Sequence, residues 1–250
     1  MAHATINWTS PVLRRSVPMT VILPDDTPKP WPVLYLLHGM HDDHTAWALK
    51  GRALHHAERW PICIVMPDGE DSFYTTQVQG EDYFAHFADA LPAFIESTLP
   101  VRSDRCGRCV GGLSMGGYGA LRLALGRPDR YISAHSHSGA LMIGSHQHKE
   151  PTNLTDAAFQ RIFGEDPRGT DHDLQHLARH ADPMPALRID CGTEDFLYKH
   201  NQTFHAHLQT LGVDHEYETS TGTHGWTYWD THLPAALAFH ARALGVDPRS

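Results

Sequence analysis

Gly112-Leu113-Ser114-Met115-Gly116 spells G-x-S-x-G, a spacing that can make an ordinary serine a nucleophile. A serine on a sharp strand-to-helix turn stands clear of the backbone. Side chains two residues to either side would collide there, so glycine is needed at both places. Chance supplies so short a pattern easily, and the flanking sequence must decide. The run 108–113 reads as a strand, and Gly117-Tyr118-Gly119-Ala120-Leu121 opens a helix whose small residues allow close packing on a sheet.

A serine hydroxyl needs a base to take its proton, and the base needs an acid to fix its tautomer. On such a scaffold the acid and then the histidine follow the nucleophile in chain order, each beyond the end of a strand. Asp195 lies in Cys191-Gly-Thr-Glu-Asp195-Phe196, just past an apolar run at 187–191. Asp190 within that run and Glu194 beside it read as turn or capping residues. His224, in Gly222-Thr-His224-Gly-Trp226, falls between the last strand and the last helix, whereas His215, His232 and His240 read as surface residues. The oxyanion of a tetrahedral intermediate needs two backbone N–H donors, and these are expected at Met115 and Met40. Gly39 permits the turn that aims Met40, and His38 reads as a structural loop residue. Tyr74 and Trp226 are candidates to line the substrate site. Such a set performs acyl transfer through a covalent serine intermediate and calls for no cofactor.

Strands and helices in alternation must hold these groups. Extended stretches at 10–13 and 19–23 precede a proline-rich turn at 24–30. Unbroken apolar runs at 32–38 and 62–66 suit strands buried on both faces, with helical composition between them at 45–59. Phe84, Phe87, Leu91, Phe94, Ile95 and Leu99 predict an amphipathic helix over 82–99, closed by Pro100. Further strands are expected at 108–113, 131–136, 187–191 and 215–219, and helices at 115–125 and 233–244. The succession predicts one α/β-hydrolase domain over 1–250, a mostly parallel central sheet flanked by helices. The polar stretch 141–185 breaks the rhythm. With helices expected at 154–162 and 174–180, it reads as an insertion over the sheet's C-terminal edge and a candidate lid.

Composition narrows the partners. A net charge of -9 with histidine neutral, and no basic block, argue against a nucleic-acid surface. No run approaches the ~18 apolar residues of a membrane span. The N-terminus lacks a signal-like segment, which points to the cytoplasm. Cys63, Cys106, Cys109 and Cys191 do not make a disulfide scaffold at this length. Cys106-Gly-Arg-Cys109 has no second pair to complete a zinc site, and no metal is expected. His172, His176 and His180, like His146 and His148, could present a metal-binding face; a solvated face is the expectation. The 21 histidines predict a solubility minimum near the sequence pI of about 6.1. The remaining expected partner is a small-molecule ester, and the sequence leaves a homo-oligomer open.

Six segments occur in order: Leu36-Leu-His-Gly-Met40, Tyr74-Thr-Thr-Gln77, Gly111-Gly-Leu-Ser-Met-Gly-Gly-Tyr-Gly-Ala-Leu121, Ser138-Gly-Ala-Leu141, Cys191-Gly-Thr-Glu-Asp195 and His224-x-Trp226. Together they resemble the putative-esterase (esterase D-like) family of α/β hydrolases over about residues 10–240, most of all its small bacterial tributyrin-type esterases. The resemblance implies Ser114, Asp195 and His224 as a triad, Met40 and Met115 as oxyanion donors, and hydrolysis of short-chain acyl esters. Relatives of that kind also include S-formylglutathione thioesterases and acetylxylan or feruloyl esterases, which stand as alternatives. A non-catalytic binding module on the same fold would not need all three triad groups. The stretch 145–183 matches no part of the family pattern.

Overall fold

The structure, a computed structural model, describes residues 1–144 and 154–249. Eight strands form one sheet: β1 Ala2–Thr9, β2 Ser16–Leu23, β3 Val33–Leu37, β4 Cys63–Pro67, β5 Arg108–Leu113, β6 Ser133–His137, β7 Ala186–Gly192 and β8 Glu216–Ser220. Their order is β1-β2-β4-β3-β5-β6-β7-β8. β1 and β2 run antiparallel to their neighbours, and every pairing from β4 to β8 is parallel. The uniform apolar runs are explained by this topology, because β3, β4 and β5 are buried along their whole length.

Alternate residues feed two cores. Val33, Tyr35 and Leu37 face one layer of helices, and Leu34 and Leu36 face the other. The first layer holds α3 (Tyr83–Ala85), α4 (Leu91–Thr98), α5 (Met115–Gly126), α6 (Asp156–Phe163), α7 (Leu174–His180) and α8 (Tyr198–Thr210). The second holds α1 (Ala46–Leu49), α2 (Ala53–Ala57) and α9 (Trp226–Leu244).

The helix expected over 82–99 forms with an irregularity. Asp82 caps it by accepting the Ala85 N–H, and α3 passes into α4 through a π-helical turn at His86–Ala90. That wide turn precedes Pro92, whose ring would clash with an α-helical carbonyl four residues back.

Five points differ from expectation. The first strand is 2–9 and not 10–13, which forms a turn instead; there Ser10 Oγ accepts the Leu13 N–H at 3.1 Å and meets His86 Nδ1 at 2.9 Å. The segment 45–59 is broken into two short helices around Gly51, and the polar helix α8 was not anticipated. α9 begins at Trp226, seven residues before the expected 233, and runs through Pro234. His240 is wholly buried: its Nδ1 lies 2.8 Å from Ser133 Oγ and its Nε2 lies 2.7 Å from His135 Nδ1.

The insertion helices fall at 156–163 and 174–180. α6 is hooked to the loop after Tyr74 by Val78 N–H to Ile162 O and Gln79 N–H to Arg161 O, and α7 packs on α5. His172 precedes α7, with Nδ1 3.0 Å from Thr75 Oγ1, while the His176 and His180 rings lie tilted against each other with centroids 4.5 Å apart. His146 and His148 lie outside the described residues. Cys109 is buried in β5 and Cys106 is exposed, both as free thiols. Among the described residues, no three His, Cys, Asp or Glu side chains converge as a metal site, and no helix is long and apolar enough to cross a membrane.

Candidate active site

Ser114 sits between β5 and α5 at φ 53°, ψ -115°, outside the regions a serine ordinarily adopts. What holds it there is backbone packing. A Cβ on Gly112 would lie 2.6 Å from the Gly116 carbonyl and 2.7 Å from Leu37 O; one on Gly116 would lie 2.5 Å from Leu37 O. The turn is wedged against the end of β3. The Ser114 N–H donates to His137 O at 2.9 Å, which pins the turn to β6 as well.

The two partners are brought in by tying together the ends of β7 and β8. Thr193 N–H donates to Ser220 O at 2.9 Å and Glu194 N–H to Gly222 O at 3.0 Å. Asp195 is then closed into a turn in which its Oδ1 accepts the Leu197 N–H at 2.8 Å. His224 Nδ1 lies 2.9 Å from both oxygens of the Asp195 carboxylate, whose side chain is fully buried. An ionised carboxylate only accepts, so the imidazole proton resides on Nδ1 and the Nε2 lone pair faces outward. Ser114 Oγ lies 2.9 Å from that Nε2 and donates to it. The structure thus joins Ser114, His224 and Asp195. Asp190 instead pairs with His137 inside the sheet, and Glu194 is exposed.

Met40 and Met115 both line the cavity beside Ser114. Neither amide donates to another described group, and Met115 opens the 12-residue helix α5, whose N-terminal dipole favours negative charge. His38 is excluded as a base by its own bonds: Nδ1–H donates to Gly39 O at 2.7 Å and Nε2 accepts the Gly69 N–H at 2.8 Å.

The cavity at Ser114 has a volume of about 110 Å³. Its walls include Phe73, Leu113, Ala140, Phe196, Leu197 and Trp229, with His41 and Asp42 at the side of the Met40 loop. Tyr74 is not among them. It is wholly buried and donates its hydroxyl to His38 O at 2.9 Å, bracing the loop that carries Met40. Trp226 stands behind the wall, in edge-to-face contact with both Trp47 and Trp229. Phe73, Phe196 and Trp229 escaped the sequence reading. Phe73 adjoins Tyr74, Phe196 follows the acid, and Trp229 is one helical turn beyond Trp226, so neighbourhood to a motif was the available signal. Asp42 is paired with Lys50, and the His41 N–H donates to Asp71 Oδ1 at 2.7 Å.

Comparison with known proteins agrees with this fold. The profile described as "Putative esterase" matches residues 10–240. An acetyl esterase of Caldicellulosiruptor saccharolyticus is 30% identical over 97% of this chain and 99% of that protein. The solved structure of the fluorophosphonate-binding serine hydrolase FphF of Staphylococcus aureus superposes with a TM-score of 0.87 at 28% identity, covering 96% of this chain and 98% of that one. The S-formylglutathione hydrolase FrmB of the same organism gives a TM-score of 0.86 at 28% identity, with the same coverage.

Proposed function

The chain belongs to the Putative esterase family of α/β hydrolases and is a serine esterase acting on carboxylic esters, and from that premise we propose that it cleaves short-chain acyl esters, acetyl esters foremost, through Ser114, His224 and Asp195. The observation that carries the reading is the unbroken hydrogen-bond line from Asp195 through His224 to Ser114 at the wall of a small cavity. A cavity of about 110 Å³ has room for three or four water-sized groups. That suits an acetyl or butyryl chain and crowds an octanoyl one.

Ser114 Oγ attacks the ester carbonyl as His224 Nε2 takes its proton, and the oxyanion forms between the Met40 and Met115 amides. His224 then hands the proton to the departing alcohol, leaving an acyl-serine. Water repeats the cycle from the other side, with His224 again as base, and releases the acid. Asp195 keeps the imidazole in the reactive tautomer throughout.

A thioester substrate of the S-formylglutathione kind is the second reading, favoured by the likeness to FrmB. Against it, Asp42 lines the cavity and, among the described residues, no lysine or arginine does. A panel of p-nitrophenyl esters from acetate to octanoate, with S-formylglutathione alongside, separates the two. Turnover is expected to fall beyond butyrate and to vanish in Ser114→Ala. A preference for octanoate, or activity retained in the folded variant, would overturn the proposal.

A further inference from the structure

His224 is held between two aromatic rings. The Phe196 centroid lies 4.4 Å from that of the imidazole at an interplanar angle of 47°, and Trp229 lies 5.1 Å away and perpendicular to it. Trp229 is buried and continues through Trp226 to Trp47, with centroid spacings of 5.4 and 5.2 Å. A chain of edge-to-face aromatic contacts therefore backs the histidine from inside the second core. Phe196 covers it from outside. At 40% exposure it is one of the few large apolar side chains left in water, and it lines the cavity. Its position is fixed from both sides in sequence, because Asp195 Oδ1 accepts the Leu197 N–H across it.

An aromatic face attracts a cation lying within about 6 Å of its centroid. The imidazole of His224 becomes a cation as it takes the proton of Ser114, an interval that spans each transition state. A contact that strengthens at that moment lowers the barrier, whereas one equally good in the resting enzyme does not. We propose that Phe196 is a positioning residue which fixes the His224 ring and favours its imidazolium form during acyl transfer. The inference rests on the reading of His224 as the general base.

Leucine at 196 keeps an apolar cover over the imidazole but has no π-face, and tyrosine keeps both. The test compares kcat and kcat/KM against pH for the unaltered enzyme, Phe196→Leu and Phe196→Tyr on p-nitrophenyl acetate, with Ser114→Ala as control. Phe196→Leu is expected to lower kcat about two- to fivefold and to move the acid limb of kcat/KM down by about 0.4–0.7 pH unit, with KM changing less than kcat. Phe196→Tyr is expected to restore both. If leucine disturbs the fold, Phe196→Met takes its place. An acid limb that stays put in Phe196→Leu, or an effect confined to KM, would overturn the inference and leave Phe196 as a substrate wall. Turnover surviving in Ser114→Ala is a different failure, since it would remove the triad reading on which the inference stands.

Discussion

His224 with Asp195 and His137 with Asp190 are two copies of one arrangement. In each, imidazole Nδ1 lies 2.7–2.9 Å from both oxygens of the carboxylate. Both carboxylates have fully buried side chains. The difference lies on the far side of the ring. His224 is 16% exposed and its Nε2 meets Ser114 Oγ at the cavity wall. His137 is wholly buried, its Nε2 has no described partner, and Arg188 Nε stands 3.6 Å from the Asp190 carboxylate. The bond to the acid is thus not what makes a histidine catalytic. A nucleophile opposite Nε2 and an opening to substrate are. The buried pair has a different task, because its histidine carries the carbonyl that receives the Ser114 N–H.

Replacing one acid at a time should break the comparison cleanly. Asp195→Asn leaves the ring without its tautomer guide and is expected to lower kcat about 10⁴-fold, with the urea midpoint nearly unchanged. Asp190→Asn should do the reverse. It leaves His137 and Arg188 facing a lost charge in the interior and is expected to cost about 3–5 kcal/mol of stability, while kcat per folded molecule stays within about twofold. Equilibrium unfolding in urea paired with active-site titration reads both. A large loss of kcat in folded Asp190→Asn would show that the buried pair also takes part in the chemistry.

Acid tests the buried histidines in a different way. Burial holds the His135 imidazole well below its usual pKa and pushes those of His240 to about 3 and of His86 and His172 to about 4. These groups stay neutral in the folded chain but take up protons below ~6.5 once unfolded. The unfolded state then binds more protons, so stability falls as pH drops from about 6.5 toward 4. Urea unfolding at pH 7 and pH 5 should differ accordingly. Equal stability at the two values would mean that these rings are not buried neutral.

The site was legible before the fold was complete. G-x-S-x-G, Asp195 and His224 announce themselves because the elbow and the loops after β7 and β8 need particular residues at particular offsets. The apolar strands were legible for the same kind of reason, since burial on both faces leaves little choice of side chain. β1 was not, because an edge strand that alternates with solvent carries His3, Thr5 and Asn7 as readily as apolar residues. α8 was hidden by its polarity, with Phe204 and Leu208 among its few apolar anchors. His240 was misread because a histidine in a helix looks the same whether it meets water or another histidine. The substrate wall was missed since Phe73, Phe196 and Trp229 converge only in three dimensions.

The wedged glycines at 112 and 116 have a consequence for how such a chain can change over generations. Their limits are set by carbonyls of β3 and of the turn itself, so no side-chain substitution nearby can relieve a Cβ at either place. The machinery for attack is therefore closed to drift. His41 and Asp42 sit on a loop at the side of the cavity, where exchange disturbs little of the sheet. A lineage carrying this chain is free to alter what it cleaves long before it can alter how.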